Sequence, residues 1–270
     1  MFDNNLAHKA AENLKNLREK KPLIHNVTNY VVMNYTANAL LACGASPVMA
    51  HASEEVEEMV SFAGALVLNI GTLTLDWVDS MLKAGKRANE LKVPIILDPV
   101  GSGATKLRTE SAKRLIDELT IQVVRGNASE VLSLAHEGSR TKGVDSIHSV
   151  DDAADAALIL AKELNTTLAI TGKVDLITDG ERIYRVSNGH DLMGYVTGTG
   201  CTATVIIGAF LAVDSDPVSA TTTGLAYFGL AGEKAATKAQ APGSFMIAML
   251  DALYTIDEKE MEKGAKIQAE

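Results

Sequence analysis

Strand-like apolar segments alternate with amphipathic segments along most of the chain. The strand-like segments are SPVMA, ALVLNIG, VPIILDP, IQVVRGN and TLAITG, and segments such as TLDWVDSMLKAGKRANELK and SVDDAADAALILAKELN separate them. This alternation predicts an α/β fold, in which βαβ units build a mostly parallel central sheet with helices on both faces. Because no repeat and no linker interrupts the pattern, we expect a single domain over residues 1–270.

The last third of the chain follows a different pattern. VDLITDGERIYRV predicts two strands joined at Asp179 and Gly180, which would add an antiparallel hairpin to one edge of the sheet. The chain is then predicted to be helical to its end, with helices at about 200–213, 217–238 and 242–255. The final segment, IDEKEMEKGAKIQAE, is typical of a solvated charged tail.

Composition and charge count against some classes of partner. The formal net charge of −9 disfavours binding to nucleic acids or anionic lipids, so we expect neither. The longest apolar segments are shorter than the roughly 20 residues of a membrane-spanning helix. The amphipathic first segment lacks the apolar core of a secretory signal, and two cysteines do not make a disulfide framework. These features favour a cytoplasmic protein with a small-molecule partner.

Polar residues follow the predicted strands at the point where each one ends. They are Asn69 after ALVL, Asp98 after IIL, Arg125 and Asn127 after IQVV, and Thr171 after TLAI. In an open α/β sheet, ligands bind outside the carboxyl ends of the strands. We therefore expect these side chains to line one crevice.

Two segments at the ends of predicted strands contain acidic residues that could contact a ligand. In VPIILDPVGSGAT, Asp98 precedes two glycines, which would suit a cation or a polar ligand, although an Asp that caps the turn would look the same. In RGNASE, Asn127 and Glu130 are three residues apart. This spacing places Glu130 in a first helical turn that faces the crevice, but a plain capping box uses it too.

The segment GTGCTATVIIGAFLA predicts a glycine-rich turn that enters a buried helix. Gly198 and Gly200 can adopt positive φ, and Thr199 and Thr202 add hydroxyl donors, so the unpaired N–H groups of the helix start could hold an anion. A simple turn before a packed helix explains the same residues. The helix start is also expected to lower the pKa of Cys201, which would make the thiol a base or a nucleophile. Helix packing accounts for this cysteine equally well.

With these segments in order, the chain resembles the hydroxyethylthiazole kinases, which are members of the ribokinase-like superfamily. The resemblance runs from KPLIHNVTNYVVMNYTANALLACGASPVMA through DPVGSGAT, RGNASE and ITGKVDLITDG to GTGCTATVIIGAFLA. It implies a ribokinase-like fold and an enzyme that phosphorylates the hydroxyl of 4-methyl-5-(2-hydroxyethyl)thiazole with ATP and Mg²⁺, in thiamine biosynthesis and salvage. It also implies a homotrimer with active sites between neighbouring subunits.

The resemblance assigns residues that contact the thiazole, residues that bind ATP and residues that organise Mg²⁺. The thiazole contacts are Met49, Gly198 and Asn26. The ATP-binding residues are Arg125 and Thr171. The residues that organise Mg²⁺ are Glu130, Asp98 and Asn127.

The catalytic positions implied by the resemblance lie in the glycine-rich segment. We expect the backbone N–H groups of Gly198, Thr199, Gly200 and Cys201 to stabilise charge on the transferring phosphoryl group. The wider superfamily ends this motif in Asp, which takes the proton of the attacking hydroxyl, whereas this chain has Cys201. Whether Cys201 acts as a general base or only positions the hydroxyl stays open.

The alternatives to this function are two other enzymes with the same fold, a binding protein without turnover, and a dehydrogenase. A hydroxymethylpyrimidine kinase and a nicotinamide-nucleotide hydrate dehydratase would share the fold, but both are expected to carry an acid in place of Cys201. A protein that binds a thiazole without turnover would use the same pocket. A dehydrogenase is disfavoured because no GxGxxG follows the first strand. The six histidines include no pair with metal-ligand spacing, and none is assigned a catalytic role.

Overall fold

One nine-stranded sheet lies at the centre of the described chain. The computed structural model describes residues 2–135 and 154–270, and its strands are β1 (Leu23–Val27), β2 (Ser46–Val48), β3 (Ala65–Asn69), β4 (Ile95–Asp98), β5 (Val123–Gly126), β6 (Thr167–Ile170), β7 (Asp175–Thr178), β8 (Ile183–Val186) and β9 (Ile267–Ala269). Their spatial order is β2-β1-β3-β4-β5-β6-β7-β8-β9. β1 to β6 pair in parallel, and the pairs from β6 to β9 are antiparallel.

Helices cover both faces of the sheet. They are α1 (Asn4–Lys20), α2 (Met33–Cys43), α3 (Val56–Val60), α4 (Leu75–Leu91), α5 (Lys106–Glu118), α6 (Ala128–Leu132), α7 (Ala154–Leu164), α8 (Thr199–Leu211), α9 (Pro217–Ala236), α10 (Pro242–Thr255) and α11 (Glu258–Gly264). α3 to α7 pack on one face, and the remaining helices pack on the other. Successive side chains of the central strands point to opposite faces, so Leu66 and Val67 belong to different hydrophobic clusters.

α8 lies over the centre of the sheet, where it contacts β1, β3 and β4. Every residue from Thr202 to Leu211 is buried, as expected for a helix that is apolar on all sides. Gly208 allows the close approach, because a Cβ atom there would lie 2.8 Å from Cγ2 of Val67. Thr204 donates a hydrogen bond to Asp98 at the end of β4, so α8 begins beside the carboxyl ends of the parallel strands.

The sequence patterns predicted most of these elements. The five strands, the edge hairpin and the three helices after it are confirmed, and so is the mostly parallel α/β sheet. β1 was not predicted, because LIHNV is short and has buried polar residues within it. His136, His148 and residues 149–153 of the segment before α7 lie outside the described residues. The single domain over residues 1–270 stays a prediction, which the common sheet supports.

The prediction of a solvated tail that is helical to the end of the chain was wrong. Asp257 and Glu260 form a capping box at the start of α11, and β9 pairs antiparallel with β8. Met261 and Ile267 are fully buried, and α11 packs against α1. Two widely spaced apolar residues among many charges are a weak pattern, yet their burial is enough to dock the segment. No helix in the described ranges has both the length and the apolar character to cross a bilayer.

Candidate active site

The polar residues at the ends of β3 to β6 form one connected row. Asn69 and Asp98 are paired in the register of β3 and β4, and Nδ2 of Asn69 donates to Oδ2 of Asp98 at 2.9 Å. The Nη1 atom of Arg125 lies 3.7 Å from the same oxygen. The Nη2 atom of Arg125 donates to Oγ1 of Thr171 at 2.5 Å. Four of the five predicted residues are therefore connected at one edge of the sheet. Arg125, Asn127 and Thr171 line a cavity there, whereas Asn69 and Asp98 are buried beside it.

Asp98 is a buried carboxylate of which only one oxygen has hydrogen-bond partners in the part of the chain that the structure describes. Oδ2 accepts hydrogen bonds from Asn69 and, at 2.8 Å, from Oγ1 of Thr204, whereas buried Oδ1 has no partner among the described residues. Burial raises the pKa of Asp98 to about 6, although the charge of Arg125 and the bond from Thr204 favour the ionised form. Such a carboxylate is suited to a cationic or hydrogen-bonding ligand that reaches Oδ1.

Two glycines shape the start of α8 in different ways. Gly198 caps the helix with φ of +79°, a conformation that glycine adopts without strain. Gly200 does not have positive φ, and its importance is the close approach of Arg125. A Cβ atom on Gly200 would lie 2.6 Å from Nη1 of Arg125. The guanidinium therefore lies directly against the first turn, whose N–H groups lack intrahelical partners.

The threonine hydroxyls of this turn do not supply the free donors that the sequence predicted. Oγ1 of Thr199 donates to the carbonyls of Val196 and Met193, at 2.6 and 2.9 Å. Oγ1 of Thr202 donates to the carbonyl of Gly198 at 2.8 Å. Both hydroxyl protons are thus used to fix the turn, and the N–H of Thr199 also donates to the carbonyl of Val196, at 3.4 Å. The backbone N–H groups of Gly198, Gly200 and Cys201 are the ones left to serve an anion.

Cys201 is half-buried in this first turn, and the expectation of a lowered pKa was wrong. Burial raises the pKa of its thiol to about 11, and the negative charge of Asp98 adds to the shift. Hydrogen bonds from Asn29 and Asn69 favour the thiolate but do not outweigh these effects. The start of a helix is therefore insufficient here to make the thiol a ready base near neutral pH.

Asn127 and Glu130 form the capping box that was the simpler interpretation of their spacing. Oδ1 of Asn127 accepts from the N–H of Glu130, and Oε2 of Glu130 accepts from the N–H of Asn127, both at 2.9 Å. Oε1 of Glu130 also accepts from the N–H of Gly101 at 2.8 Å. Glu130 thereby ties the loop after β4 to α6. Its carboxylate oxygens retain lone pairs that can accept a contact from a ligand.

The two predicted thiazole contacts lie on β1 and directly after β2, and within the described residues neither side chain hydrogen-bonds to the connected row. Asn26 is buried, and its Nδ2 donates to the carbonyls of Ile24 and Val48, at 2.8 and 3.4 Å. Its Oδ1 has no partner in the described ranges. Met49 directly follows β2 and is half-buried. Within the described ranges, the hydrogen bonds of Asn26 stay within this edge of the sheet.

An open cavity of about 630 Å³ extends from the start of α8 along the sheet edge. Its lining includes polar groups at Arg125, Asn127 and Thr171, the backbone of Gly200, and the apolar side chains of Ala203, Leu225 and Phe228. A cavity that combines a cation and a helix start with apolar side chains can hold a phosphorylated ligand with a flat base. A second cavity of about 610 Å³, near Lys92, Pro94 and Asp214, lies at the opposite ends of the strands.

The cavity also contains residues that sequence reasoning missed. Asp175 lines it at the start of β7, and burial raises the pKa of its carboxyl to about 6, against a hydrogen bond from the N–H of Gly172. His190, to which the sequence assigned no role, lies at the cavity wall. Asn29 and Thr204 contact Cys201 and Asp98, respectively. Asn29 lies in the segment HNVTN and Thr204 in GTGCTATV, so both belong to segments that the sequence had already singled out.

Comparison with known proteins identifies the family. The profile described as the hydroxyethylthiazole kinase family matches residues 14–259. The chain belongs to the hydroxyethylthiazole kinase family. A hydroxyethylthiazole kinase of Desulfotalea psychrophila is 65% identical over 264 residues, which cover 98% of this chain and 97% of the relative.

Solved structures agree with this family membership. The structure of a hydroxyethylthiazole kinase protein from Pyrococcus horikoshii OT3 is 48% identical and superposes with a TM-score of 0.90, covering 97% of this chain and 99% of that chain. A ribokinase-like superfamily protein from Enterococcus faecalis V583 is 13% identical, with a TM-score of 0.66 and 95% coverage of each chain. At that identity the likeness shows the fold alone. The hydroxyethylthiazole kinase fold of this chain is ribokinase-like, as the resemblance implied.

Proposed function

We propose that this protein transfers the γ-phosphoryl group of ATP to the hydroxyl of 4-methyl-5-(2-hydroxyethyl)thiazole, a step in thiamine biosynthesis and salvage. The observation that carries the proposal is the position of Arg125. Its guanidinium contacts the side chain of Thr171, lies near Asp98 and packs against Gly200 at the start of α8. A planar cation and the start of a helix therefore meet at the cavity, with a buried carboxylate next to the cation, and phosphoryl transfer depends on such positioned charges and donors.

ATP would occupy the cavity of about 630 Å³. Arg125 and Thr171 in its lining would bind the phosphates, since a guanidinium presents several N–H donors to phosphate oxygens. Ala203, Leu225 and Phe228 would pack against the base. The same arrangement leaves the γ-phosphoryl group next to the first turn of α8.

The first turn of α8 would stabilise the transfer itself. Phosphoryl transfer passes through a loose transition state in which positioning and charge stabilisation provide most of the rate. The N–H groups of Gly198, Gly200 and Cys201 would bind the equatorial oxygens, and Arg125 would neutralise part of their charge. Because burial raises the pKa of Cys201 to about 11, the thiol would mainly position the attacking hydroxyl.

Asp98 and Glu130 would hold Mg²⁺, with Asn127 fixing Glu130 through the capping box. In the described ranges no three His, Cys, Asp or Glu side chains group as a metal site. Mg²⁺ is commonly bound by one or two carboxylates together with substrate phosphates, and the unpartnered Oδ1 of Asp98 fits that role. When bound, the ion would neutralise charge on the phosphates. Asp98 and Glu130 would keep it close to Arg125 and the phosphates.

The thiazole would contact Gly198, Met49 and Asn26, and we propose a homotrimer whose neighbouring subunit completes this pocket. Several large apolar side chains support a contact between copies, because Tyr30, Val31, Leu41 and Ile247 are each at least 60% exposed. α2 and α10, which carry Leu41 and Ile247, pack on each other. Light scattering after size exclusion tests the assembly. A cytoplasmic location stays a prediction from the sequence.

The decisive test of the activity is direct. Purified protein is mixed with ATP, Mg²⁺ and hydroxyethylthiazole, ADP release is followed, and the phosphorylated thiazole is identified by mass. Hydroxymethylpyrimidine in place of the thiazole, and a sample without acceptor, serve as controls. Folded protein that binds ATP but shows no thiazole-dependent turnover would reject the proposal and favour the dehydratase or the binding protein.

Gly200→Ala should weaken ATP binding. The added Cβ would lie 2.6 Å from Nη1 and 3.0 Å from Nη2 of Arg125, so the guanidinium must move away from the phosphates. We expect KM for ATP to rise by about tenfold, since small displacements of positioning groups are costly. Gly243→Ala is the matched control, because Gly243 also occupies the second position of a helix and an added Cβ there meets nothing within 4 Å. Equal KM values for the two variants would contradict the assignment of Arg125.

Cys201→Ala should lower kcat by about tenfold to 100-fold while KM for ATP stays unchanged. The variant removes the group that positions the hydroxyl but leaves the N–H groups of the turn in place. Steady-state kinetics with varied ATP and varied thiazole separate the two effects. Cys43→Ala is a control at the other cysteine, which is buried in the core. A variant with full turnover would exclude the thiol from the mechanism.

A further inference from the structure

A chain of buried hydrogen bonds leads from Asp98 to Cys201. Nδ2 of Asn69 donates to Oδ2 of Asp98 at 2.9 Å, and Nδ2 of Asn29 donates to Oδ1 of Asn69 at 2.8 Å. The same Nδ2 of Asn29 donates to Sγ of Cys201 at 3.5 Å. Asn29, Asn69 and Asp98 are each at most 4% exposed. Buried polar side chains that are fully connected in this way are held rigidly.

The Asp98 carboxylate determines which atom each amide presents to the next residue. An ionised carboxylate only accepts hydrogen bonds, so Asn69 must turn Nδ2 toward Asp98 and Oδ1 toward Asn29. Asn29 must then turn Nδ2 toward Asn69, and the same NH₂ group faces the thiol. Cys201 therefore receives a donor, and its S–H is left to point away from Asn29.

Backbone groups fix the same amide orientations independently. The N–H of Gly71 donates to Oδ1 of Asn69 at 2.9 Å, and the N–H of Val31 donates to Oδ1 of Asn29 at 3.1 Å. Gly71 also provides the space, because a Cβ there would lie 2.6 Å from Nδ2 of Asn29. The loop after β3 is thus shaped around the Asn29 amide.

We propose that Asn29 is a positioning residue for the phosphoryl transfer, which directs an amide N–H at the Cys201 sulfur in an orientation set by Asp98. The proposal rests on the proposed function, since it assumes that Cys201 places the attacking hydroxyl. Asn29 acts through Cys201. Its effect on turnover must therefore depend on the presence of the thiol, which a purely structural role would not require.

A double-mutant cycle tests this dependence. Asn29→Ala should lower kcat by about tenfold in the protein with Cys201, with KM for ATP unchanged, and by less than about twofold in Cys201→Ala. Gly71→Ala, which displaces the amide without removing any polar group of the chain, should reproduce both results. Asn5→Ala, at an exposed position of α1, should change neither value. Equal losses in both backgrounds, or no loss of turnover in Cys201→Ala alone, would overturn the proposal.

Thiol reactivity gives a readout that does not depend on the kinase reaction. Asn29→Asp keeps the shape of the side chain but replaces the donor by a negative charge, so alkylation of Cys201 by iodoacetamide should slow by at least about tenfold. Cys43 is fully buried and serves as the internal control, and Asn5→Asp is the matched surface variant. An unchanged alkylation rate would reject the proposal whether or not the protein shows thiazole-dependent turnover. A slowed rate in a protein without such turnover would instead reject the proposed function alone.

Discussion

Asp98→Asn should remove most of the phosphoryl transfer and leave the fold intact. The amide oxygen can still accept the hydrogen bonds from Asn69 and Thr204, which hold Oδ2 of the carboxylate in the native site. The amide NH₂ then replaces Oδ1, the oxygen available to a cation, and the negative charge is lost. We expect kcat to fall by roughly 10³-fold, the size of effect seen when a preorganised electrostatic group is removed from an active site.

Asp98→Asn should raise the free energy of unfolding near neutral pH, although it lowers kcat. Burial raises the pKa of Asp98 from 3.8 in the unfolded chain to about 6, so the folded protein binds this proton more tightly. The contribution of Asp98 to stability is therefore present at low pH and is lost as the pH rises from about 4 to 6, up to about 3 kcal/mol in total. Asp98→Asn should remove this loss.

Urea unfolding of the ligand-free protein at pH 5 and pH 7.5 measures the effect. We expect the variant to be at least as stable as the native chain at pH 7.5 and to depend less on pH. Asp175, whose pKa burial also raises to about 6, should retain its own contribution to the slope. Asp251→Asn, at an exposed position of α10, is the control. A variant that is destabilised at both pH values would show that the carboxylate serves the fold.

The parts of the site that could be predicted follow from the regular geometry of a parallel sheet. Parallel strands end at the same edge of a sheet, so Asn69, Asp98, Arg125 and Thr171 could be expected together from their positions after apolar segments. The glycine-rich start of α8 was recognisable because an apolar helix follows it directly. Both predictions need only the local sequence pattern and the rule that ligands bind outside the carboxyl ends of the strands in an α/β sheet.

The parts that could not be predicted depend on contacts between distant segments. The raised pKa of Cys201 arises from burial and from Asp98, and neither is visible in GTGCTATV. The hydrogen-bond chain through Asn29 and Asn69 joins the ends of β1 and β3, which required β1 to be recognised first. The docked tail depends on Met261 and Ile267, two apolar residues without a helical or strand period.

Arg125→Ala should reduce kcat/KM for ATP by roughly 10³-fold or more, because a charge-assisted arginine contact to the transferring phosphate contributes effects of this size. Arg125 belongs to β5, its side chain is 12% exposed, and its Nη2 is held by Thr171. The guanidinium is therefore preorganised before ATP arrives. Arg125→Lys keeps the charge but loses the planar set of donors, so its loss should be intermediate.

Two further measurements separate this role of Arg125 from a structural one. ATP should raise the unfolding temperature of the native protein but not that of Arg125→Ala, because the variant lacks the phosphate contact. Arg125 also lowers the pKa of Asp98, so its loss should raise that pKa further, and the residual activity should increase with pH above 6. Arg114→Ala, at an exposed arginine that pairs with Asp79 and Glu118, should alter neither property. If Arg125→Ala binds ATP as tightly as Arg114→Ala does, the phosphate site must lie elsewhere in the cavity.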